Sequence, residues 1–240
     1  MSADPDRFRP HRVVWDKDKV ARVWKFFSSG DNEYFSRAAG DSLLKHVRKR
    51  IPLRGPALDF GSGPGHFVAK LLAAGIPTAA FDLDQESIRV IEEKFRDHPA
   101  FLGALCSAAL PAPIPDGTYK TVFFIETIEH LLPEESDDTL AELHRITQPG
   151  GTVVVTTRNS ENLAHREVLC PECGAIFHRK QHLASFSESS LAGKMADAGF
   201  DALFCRPVLF SVSPMSGLRR IYVRLRKEKM PSLLYIGRKK

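Results

Sequence analysis

The stretch Leu58-Asp59-Phe60-Gly61-Ser62-Gly63-Pro64-Gly65 constrains the fold more than any other part of the chain. A short apolar run, Ala57 to Phe60, ends in three glycines at alternate positions. An amphipathic pattern through Phe67, Val68, Leu71 and Leu72 follows and stops at Gly75. Glycines between a strand and a helix let the backbone approach a ligand and aim the helix N-terminus at it. The alternation then repeats. Thr78–Asp82 reads as a strand, and Gln85–Arg96 as a helix with Ile88, Ile91 and Phe95 on one face. Phe101–Leu105 and Lys120–Ile125 read as strands on either side of the turn Pro111–Gly117. Ser136–Thr147 reads as a helix, Pro149-Gly150-Gly151 as a turn and Thr152–Thr157 as a β-branched strand. Such alternation predicts a parallel sheet covered on both faces.

The ends read differently. Residues 1–15 are expected to be a loose arm. Two helical patterns follow, one through Val20, Val23, Trp24 and Phe27, the other from about Asn32 to Arg50. Residues 1–52 are thus an arm with cap helices, and residues 53–240 one α/β domain. Within it the alternation breaks between Arg158 and Phe186, a stretch rich in Cys, His, Glu and Arg that reads as an insertion above the sheet. Helix Glu188–Ala198 and strand Phe200–Cys205 resume the fold. A segment over 206–231 reads as a lid or excursion before a last strand, Leu233–Gly237.

The loop departs from the dinucleotide fingerprint, which needs a small residue where His66 stands. It is similar instead to the first motif of class I S-adenosylmethionine-dependent methyltransferases, acidic-x-Gly-x-Gly-x-Gly, matched by Asp59, Gly61, Gly63 and Gly65. Asp82 matches the family's second acid, and Gln148-Pro149-Gly150-Gly151 its turn before strand five. The resemblance covers about residues 55–205. It implies a Rossmann-like, doubly wound, mostly parallel seven-stranded sheet that binds S-adenosylmethionine. Asp59, Gly61, Ser62, Gly63 and Gly65 would face the methionine part, and Asp82 the ribose. Leu83, Ser107 and Ile125 would complete the cofactor site. The family often places an acid after strand three to meet the adenine amine; here that position offers Ser107.

Glu126-Thr127-Ile128-Glu129-His130 follows the fourth strand, at the sheet's carboxyl edge, where ligands bind in open α/β folds. A helical turn there would put two carboxylates and an imidazole on one face, a donor set suited to Mg²⁺, Mn²⁺ or Zn²⁺. The segment resembles the Glu-x-x-Glu-His of the small-RNA 3′-terminal 2′-O-methyltransferases and of the ubiquinone-biosynthesis O-methyltransferases. By that resemblance Glu126, Glu129, His130 and His182 form a metal set, with Glu129 and His130 catalytic. The metal-free alternative makes Glu129-His130-Leu131 the start of the next helix, with His130 beside the acceptor.

Cys170-Pro171-Glu172-Cys173-Gly174 continues to His178 and His182. Two thiolates and two imidazoles at this spacing suggest a tetrahedral zinc clip. His182 cannot easily serve both metal sets. Cys106 and Cys205 read as buried small apolar residues, and the aromatics of the cap helices, Trp24 among them, as core with one or two reaching the acceptor.

Charge is local rather than general. Ten of the 34 basic residues but one of the 29 acids follow Cys205, and the rest of the chain is net acidic. The alternation of apolar and basic residues over 218–227 is expected to be a solvated amphipathic element, with an anionic ligand or RNA as the alternative. The composition excludes disordered, collagen-like and disulfide-scaffold chains, and no apolar run is long enough to span a membrane. The reading is a cytoplasmic O-methyltransferase acting on a hydroxyl of a small molecule or glycan. Its alternatives are an RNA-modifying enzyme and a non-catalytic binding protein that keeps the fold.

Overall fold

The computed structural model describes residues 8–28, 34–211 and 231–240. In chain order the elements are strand β1 (His11–Arg12), helices α1 (Lys17–Ser28) and α2 (Phe35–Arg48), β2 (Ala57–Phe60), α3 (His66–Ala73), β3 (Thr78–Asp82), α4 (Gln85–Phe95) and β4 (Phe101–Cys106). Then come β5 (Tyr119–Ile125), α5 (Pro133–Ile146), β6 (Thr147–Arg158), β7 (Glu167–Leu169), β8 (Ala175–His178), α6 (Glu188–Asp197), β9 (Phe200–Val208) and β10 (Ser232–Lys239). Single 3₁₀ turns cover Ile128–His130 and Leu163–Arg166.

Seven strands form one sheet in the order β4-β3-β2-β5-β6-β10-β9. Strand β10 runs antiparallel to both neighbours, and the other pairings are parallel. From β2 the chain winds outward through β3 to β4, then returns to pair β5 on the other side of β2. That reversal opens a crevice at the carboxyl ends of β2 and β5. Burial follows the two-sided cover. Along β5, Val122 and Phe124 join one apolar cluster, with Leu140 and Leu143 of α5. Phe123 and Ile125 join the opposite one, with Leu43 of α2 and Phe67 of α3. Both faces being dry, the central strand is a continuous apolar run.

Helix starts follow local chemistry. Asp84 caps α4 by accepting from the Ser87 amide at 3.0 Å. Pro133 opens α5 with Glu134 and Glu135 in its first turn, and Ser187 forms a capping box with Ser190 at α6. Strand β6 is longer than the sequence pattern suggests. Pro149-Gly150-Gly151 does not end it but is absorbed where the register against β5 shifts.

The arm is not loose where it is described. Strand β1 adds in parallel to β8 of the β7–β8 hairpin, making a three-stranded sheet within the insertion. The His11 amide donates to the Gly174 carbonyl at 3.0 Å, and Trp15 meets Phe177 edge-on at 6.5 Å. The basic stretch 218–227 lies outside the described residues, as does most of the expected lid. No helix among the described residues is long and apolar enough to cross a membrane.

Gly65 shows how tightly α3 and α4 meet. Its φ is 79°, and a Cβ there would stand 2.7 Å from the Ile91 side chain. Gly65→Ala is expected to cost about 2–4 kcal/mol in urea unfolding, from left-handed strain plus overpacking. A loss below ~0.5 kcal/mol would contradict this packing.

Candidate active site

The glycine turn bends back on the β3 end. The Gly61 and Ser62 amides donate to the Phe81 carbonyl at 2.8 and 3.1 Å. The Gly63 amide donates to one Asp82 carboxylate oxygen at 2.7 Å, and the Asp84 amide to the other at 2.9 Å. Each oxygen keeps a second lone pair for a hydroxyl. Asp59 is 2% exposed beneath the turn, and burial, with the Asp82 charge second, pushes its carboxyl up to about 8. Burial also raises Asp82. The Ser62 hydroxyl is buried without a hydrogen-bond partner. Leu83 is 61% exposed beside Asp82, and Ile125 is buried at the β5 end. Ser107 turns its hydroxyl to the Ala109 carbonyl at 2.8 Å. Tyr34, from the start of α2, lies over Gly63 and beside the His66 ring.

Gly61 also touches the second half of the crevice. A Cβ on it would come within 2.8 Å of the Thr127 hydroxyl oxygen. Thr127 belongs to the segment leaving β5, where Glu126 has φ 48°, an uncommon conformation for a residue with a side chain. The Glu126 amide donates to the Thr156 carbonyl of β6 at 3.0 Å. The 3₁₀ turn that follows buries Glu129 (1% exposed) and His130 (9%). The Leu183 amide holds the Glu129 carbonyl at 2.7 Å, so the end of the insertion is tied across this turn.

Glu129, His130 and His182 bring one ligand atom each to within 4.8 Å of one another. Glu126 stands outside that set, although its charge reaches Glu129. Hydrogen bonding fixes both imidazoles. His130 Nδ1 faces the Gln181 carbonyl at 3.3 Å; a carbonyl can only accept, so Nδ1 carries the proton and Nε2 the lone pair. His182 Nδ1 bonds the Glu161 carboxylate, which leaves its Nε2 bare. Burial keeps both rings neutral, pushing His130 down to about 3 and lowering His182. The carboxyls move the other way. Burial lifts Glu126 to about 7, and burial with repulsion from Glu126 lifts Glu129 well above its ordinary value. Both Glu129 oxygens and one of Glu126 lack a hydrogen-bond partner.

The cysteines lie elsewhere. His178 and His182 group with Glu161, and neither cysteine falls in a group of three or more metal-type donors among the described residues. Backbone amides of Cys173 and Glu172 instead stabilise the Cys170 thiolate at the hairpin turn. His178 Nδ1 accepts the Lys180 and His182 amides at 3.3 and 3.1 Å, so its Nε2 carries the proton and points to Glu161 at 3.8 Å. That separation is too long for a hydrogen bond, and His178 Nε2 is buried without a hydrogen-bond partner, in a second group of metal-type donors with Glu161 and His182. The expected four-ligand clip is therefore not assembled in this conformation. Cys205 is buried, and Cys106 sits half-buried with its thiol toward the Leu83 carbonyl.

Two participants, Glu161 and Gln181, went unread in the sequence, and a third, Trp24, was read only within a group of cap-helix aromatics. Glu161 lies in the stretch taken only as an insertion; its position just past the carboxyl end of a central strand was the available signal. Gln181, 1% exposed with φ 57°, accepts from the Trp24 indole at 2.9 Å and donates to the His130 carbonyl at 3.1 Å. Trp24, expected on an apolar helix face, stands edge-on to His130 at 4.6 Å and closes this side of the site.

Comparison with known proteins agrees with this geometry. Residues 32–203 match the model of a family described as a methyltransferase domain. A malonyl-[acyl-carrier protein] O-methyltransferase of Methylococcus capsulatus is 30% identical over 131 residues, 53% of this chain and 46% of that enzyme. The chain thus spans about half the length of that relative. Among solved structures, the PH0226 protein of Pyrococcus horikoshii superposes with a TM-score of 0.66 at 18% identity, covering 91% of this chain and 99% of that one. The 1,6-didemethyltoxoflavin-N1-methyltransferase of Burkholderia thailandensis, solved with S-adenosylhomocysteine, gives 0.61 at 18% identity over 100% of this chain and 98% of that one. These likenesses establish the fold.

The raised Asp59 carboxyl has a consequence for stability. The folded chain keeps a proton that the unfolded chain releases near pH 4, so stability falls as pH rises towards about 8. Urea midpoints measured between about pH 5 and pH 8 should decline in the wild type and decline less in Asp59→Asn. Equal slopes would contradict the burial of an acid at this position.

Proposed function

The chain belongs to the methyltransferase-domain family, and on that premise we propose that it moves the sulfonium methyl of S-adenosylmethionine to a hydroxyl oxygen of a small molecule or glycan, assisted by a divalent cation. The observation that carries the metal-assisted reading is the pair of imidazoles around Glu129. Each has its Nδ1 against an acceptor, Gln181 or Glu161, and each brings one ring nitrogen within 4.8 Å of a carboxylate oxygen of Glu129, both of whose oxygens lack a hydrogen-bond partner. Backbone carbonyls and carboxylates hold metal-ligating histidines in this way. Oxygen as the acceptor atom agrees with the relative from Methylococcus capsulatus, by its name an O-methyltransferase.

The residues fit the cofactor too. Gly61, Gly63 and Gly65 take the left-handed conformations that fold the turn against Thr127, Tyr34 and Ile91, Asp82 has spare lone pairs for ribose hydroxyls, and the Ser62 hydroxyl is buried with no hydrogen-bond partner. Asp59, beneath the turn, supports it from the dry side.

Glu129, His130 and His182 would hold Mg²⁺, Mn²⁺ or Zn²⁺ through mixed oxygen and nitrogen donors. A cation there supplies acidification of a bound hydroxyl and a fixed direction for its oxygen. The other steps belong to the chain. Glu161 keeps His182 in the tautomer that presents Nε2. Gln181 does the same for His130 and braces Trp24, which shields the site from water. Glu126, raised by burial when no cation is bound, would be returned towards the ionised form by a neighbouring cation and so could accept the hydroxyl proton. Methyl transfer then needs the acceptor oxygen in line with the sulfonium, and the close approach of Gly61 to Thr127 keeps the two halves of the crevice adjacent.

Two outcomes test this reading. Incubated with methyl-labelled S-adenosylmethionine and cell extract, the protein should label a small molecule or glycan. Chelation or Glu129→Ala should cut the label at least tenfold, Mn²⁺ should restore the chelated wild type, and affinity for S-adenosylhomocysteine should stay within about twofold. Label resistant to chelator, or found in RNA alone, would contradict it. Separately, Asp82→Ala should weaken S-adenosylhomocysteine binding at least tenfold by calorimetry, and undiminished binding would remove Asp82 from the ribose site.

A further inference from the structure

A second cavity adjoins the Glu161–His182 pair. It has a volume of about 600 Å³, and its wall includes Arg158, Arg166 and Arg179 together with Ser160 and Asn162. Glu161 also lines it, so one carboxylate belongs to both the cavity wall and the His182 contact. Three arginines line it from separate parts of the fold. Arg158 ends β6, Arg166 closes the 3₁₀ turn, and Arg179 follows β8. The Arg179 amide donates to the Arg166 carbonyl at 2.9 Å, which fixes these two residues as neighbours.

The two acids on this wall are already engaged. Glu167 pairs with Arg12, and Glu161 with His182 and with Arg166 at 3.2 Å. Arg158 approaches Glu161 no closer than 3.9 Å, and Arg179 has no carboxylate partner among the described residues. Positive charge therefore exceeds negative charge around a concave space. The contrast with the neighbouring cavity of about 670 Å³ is informative. There the lining cation is Arg206, and it is paired with Glu188. Ser160, which lines both cavities, holds φ 47°, an uncommon conformation for a residue with a side chain.

We infer that this cavity is an anion subsite that takes the phosphate group of a phosphorylated small acceptor, whose hydroxyl then reaches the Glu129–His130–His182 group. Guanidinium forks match phosphate oxygens, and three of them around one space suit a group with three terminal oxygens better than a carboxylate, which a single fork satisfies. Glu161 stands between phosphate and hydroxyl and orients His182 without touching the anion's charge unopposed, because Arg166 offsets it. The acceptor class deepens the transfer reading above and rests on it; the cavity's affinity for phosphate does not.

Calorimetry on the full chain saturated with S-adenosylhomocysteine tests this with four probes: inorganic phosphate, ribose 5-phosphate, ribose, and a single-stranded RNA of about twenty nucleotides. Ribose 5-phosphate should bind, phosphate should compete with it, and ribose should be silent at the same concentration. Arg179→Ala should weaken ribose 5-phosphate at least tenfold, and Arg158→Ala/Arg179→Ala further, with S-adenosylhomocysteine affinity unchanged as the check on folding. Equal binding by the variants, or no binding of either phosphate probe to the wild type, overturns the inference. So does RNA binding that Arg179→Ala weakens while ribose 5-phosphate stays silent, since the cavity would then serve a polymer. If S-adenosylhomocysteine fails to bind the wild type, the transfer reading falls, and the phosphate titration of the free protein still decides the cavity on its own.

Discussion

Gly61 against Thr127 is the contact on which the rest of the site depends. It occurs where the sheet reverses its winding, between the carboxyl ends of β2 and β5. On the Gly61 side, amides and the Asp82 carboxylate form a turn suited to a nucleoside. On the Thr127 side, the chain must leave β5 at once, and Glu126 takes a left-handed conformation to do so. The next residues tighten into a 3₁₀ turn that buries Glu129 and His130. A side chain at position 61 would push these halves apart, so the same steric constraint sets both the turn and the distance between two reacting groups.

Electrostatics gives this arrangement its chemical character. Glu126, Glu129 and Glu161 are gathered in one dry region with three imidazoles, and Arg158 and Arg166 stand at its edge. Without a cation the carboxyls are driven towards the protonated form and the rings towards neutrality. Buried polar atoms left without partners are costly, and natural proteins retain them where a ligand satisfies them. Here they are two carboxylate oxygens of Glu129 and one of Glu126. The insertion completes the group from above, through His182, Gln181 and the amides that grip Glu129.

The sheet and its crevice were legible because period and punctuation coincide. Ala57–Phe60 and Lys120–Ile125 are continuous apolar runs that a sheet covered on both sides requires, and the glycines at 61, 63 and 65 interrupt helix and strand alike. His130 and Glu129 were legible from position, at the end of a central strand. Glu161 and Gln181 were not, and Trp24 only as one of a group of cap-helix aromatics, because their roles arise from contacts between segments far apart in sequence: Trp24 and Gln181 are 157 residues apart. The cysteine spacing suggested a clip using His178 and His182, but spacing does not encode direction. The hairpin sends the thiols to its tip and the histidines back to Glu161. The arm was read as loose because two residues carry no period, and a strand of that length exists only when another segment offers it an edge.

Anomalous diffraction from crystals soaked in Mn²⁺, and separately in Zn²⁺, tests the central claim most directly. The account predicts a peak about 2.0–2.5 Å from Nε2 of His130, Nε2 of His182 and a Glu129 carboxylate oxygen, absent in Glu129→Ala and retained in Cys173→Ser. A crystal with no peak at those three residues, or with its peak at Cys170 and Cys173 alone, would contradict it.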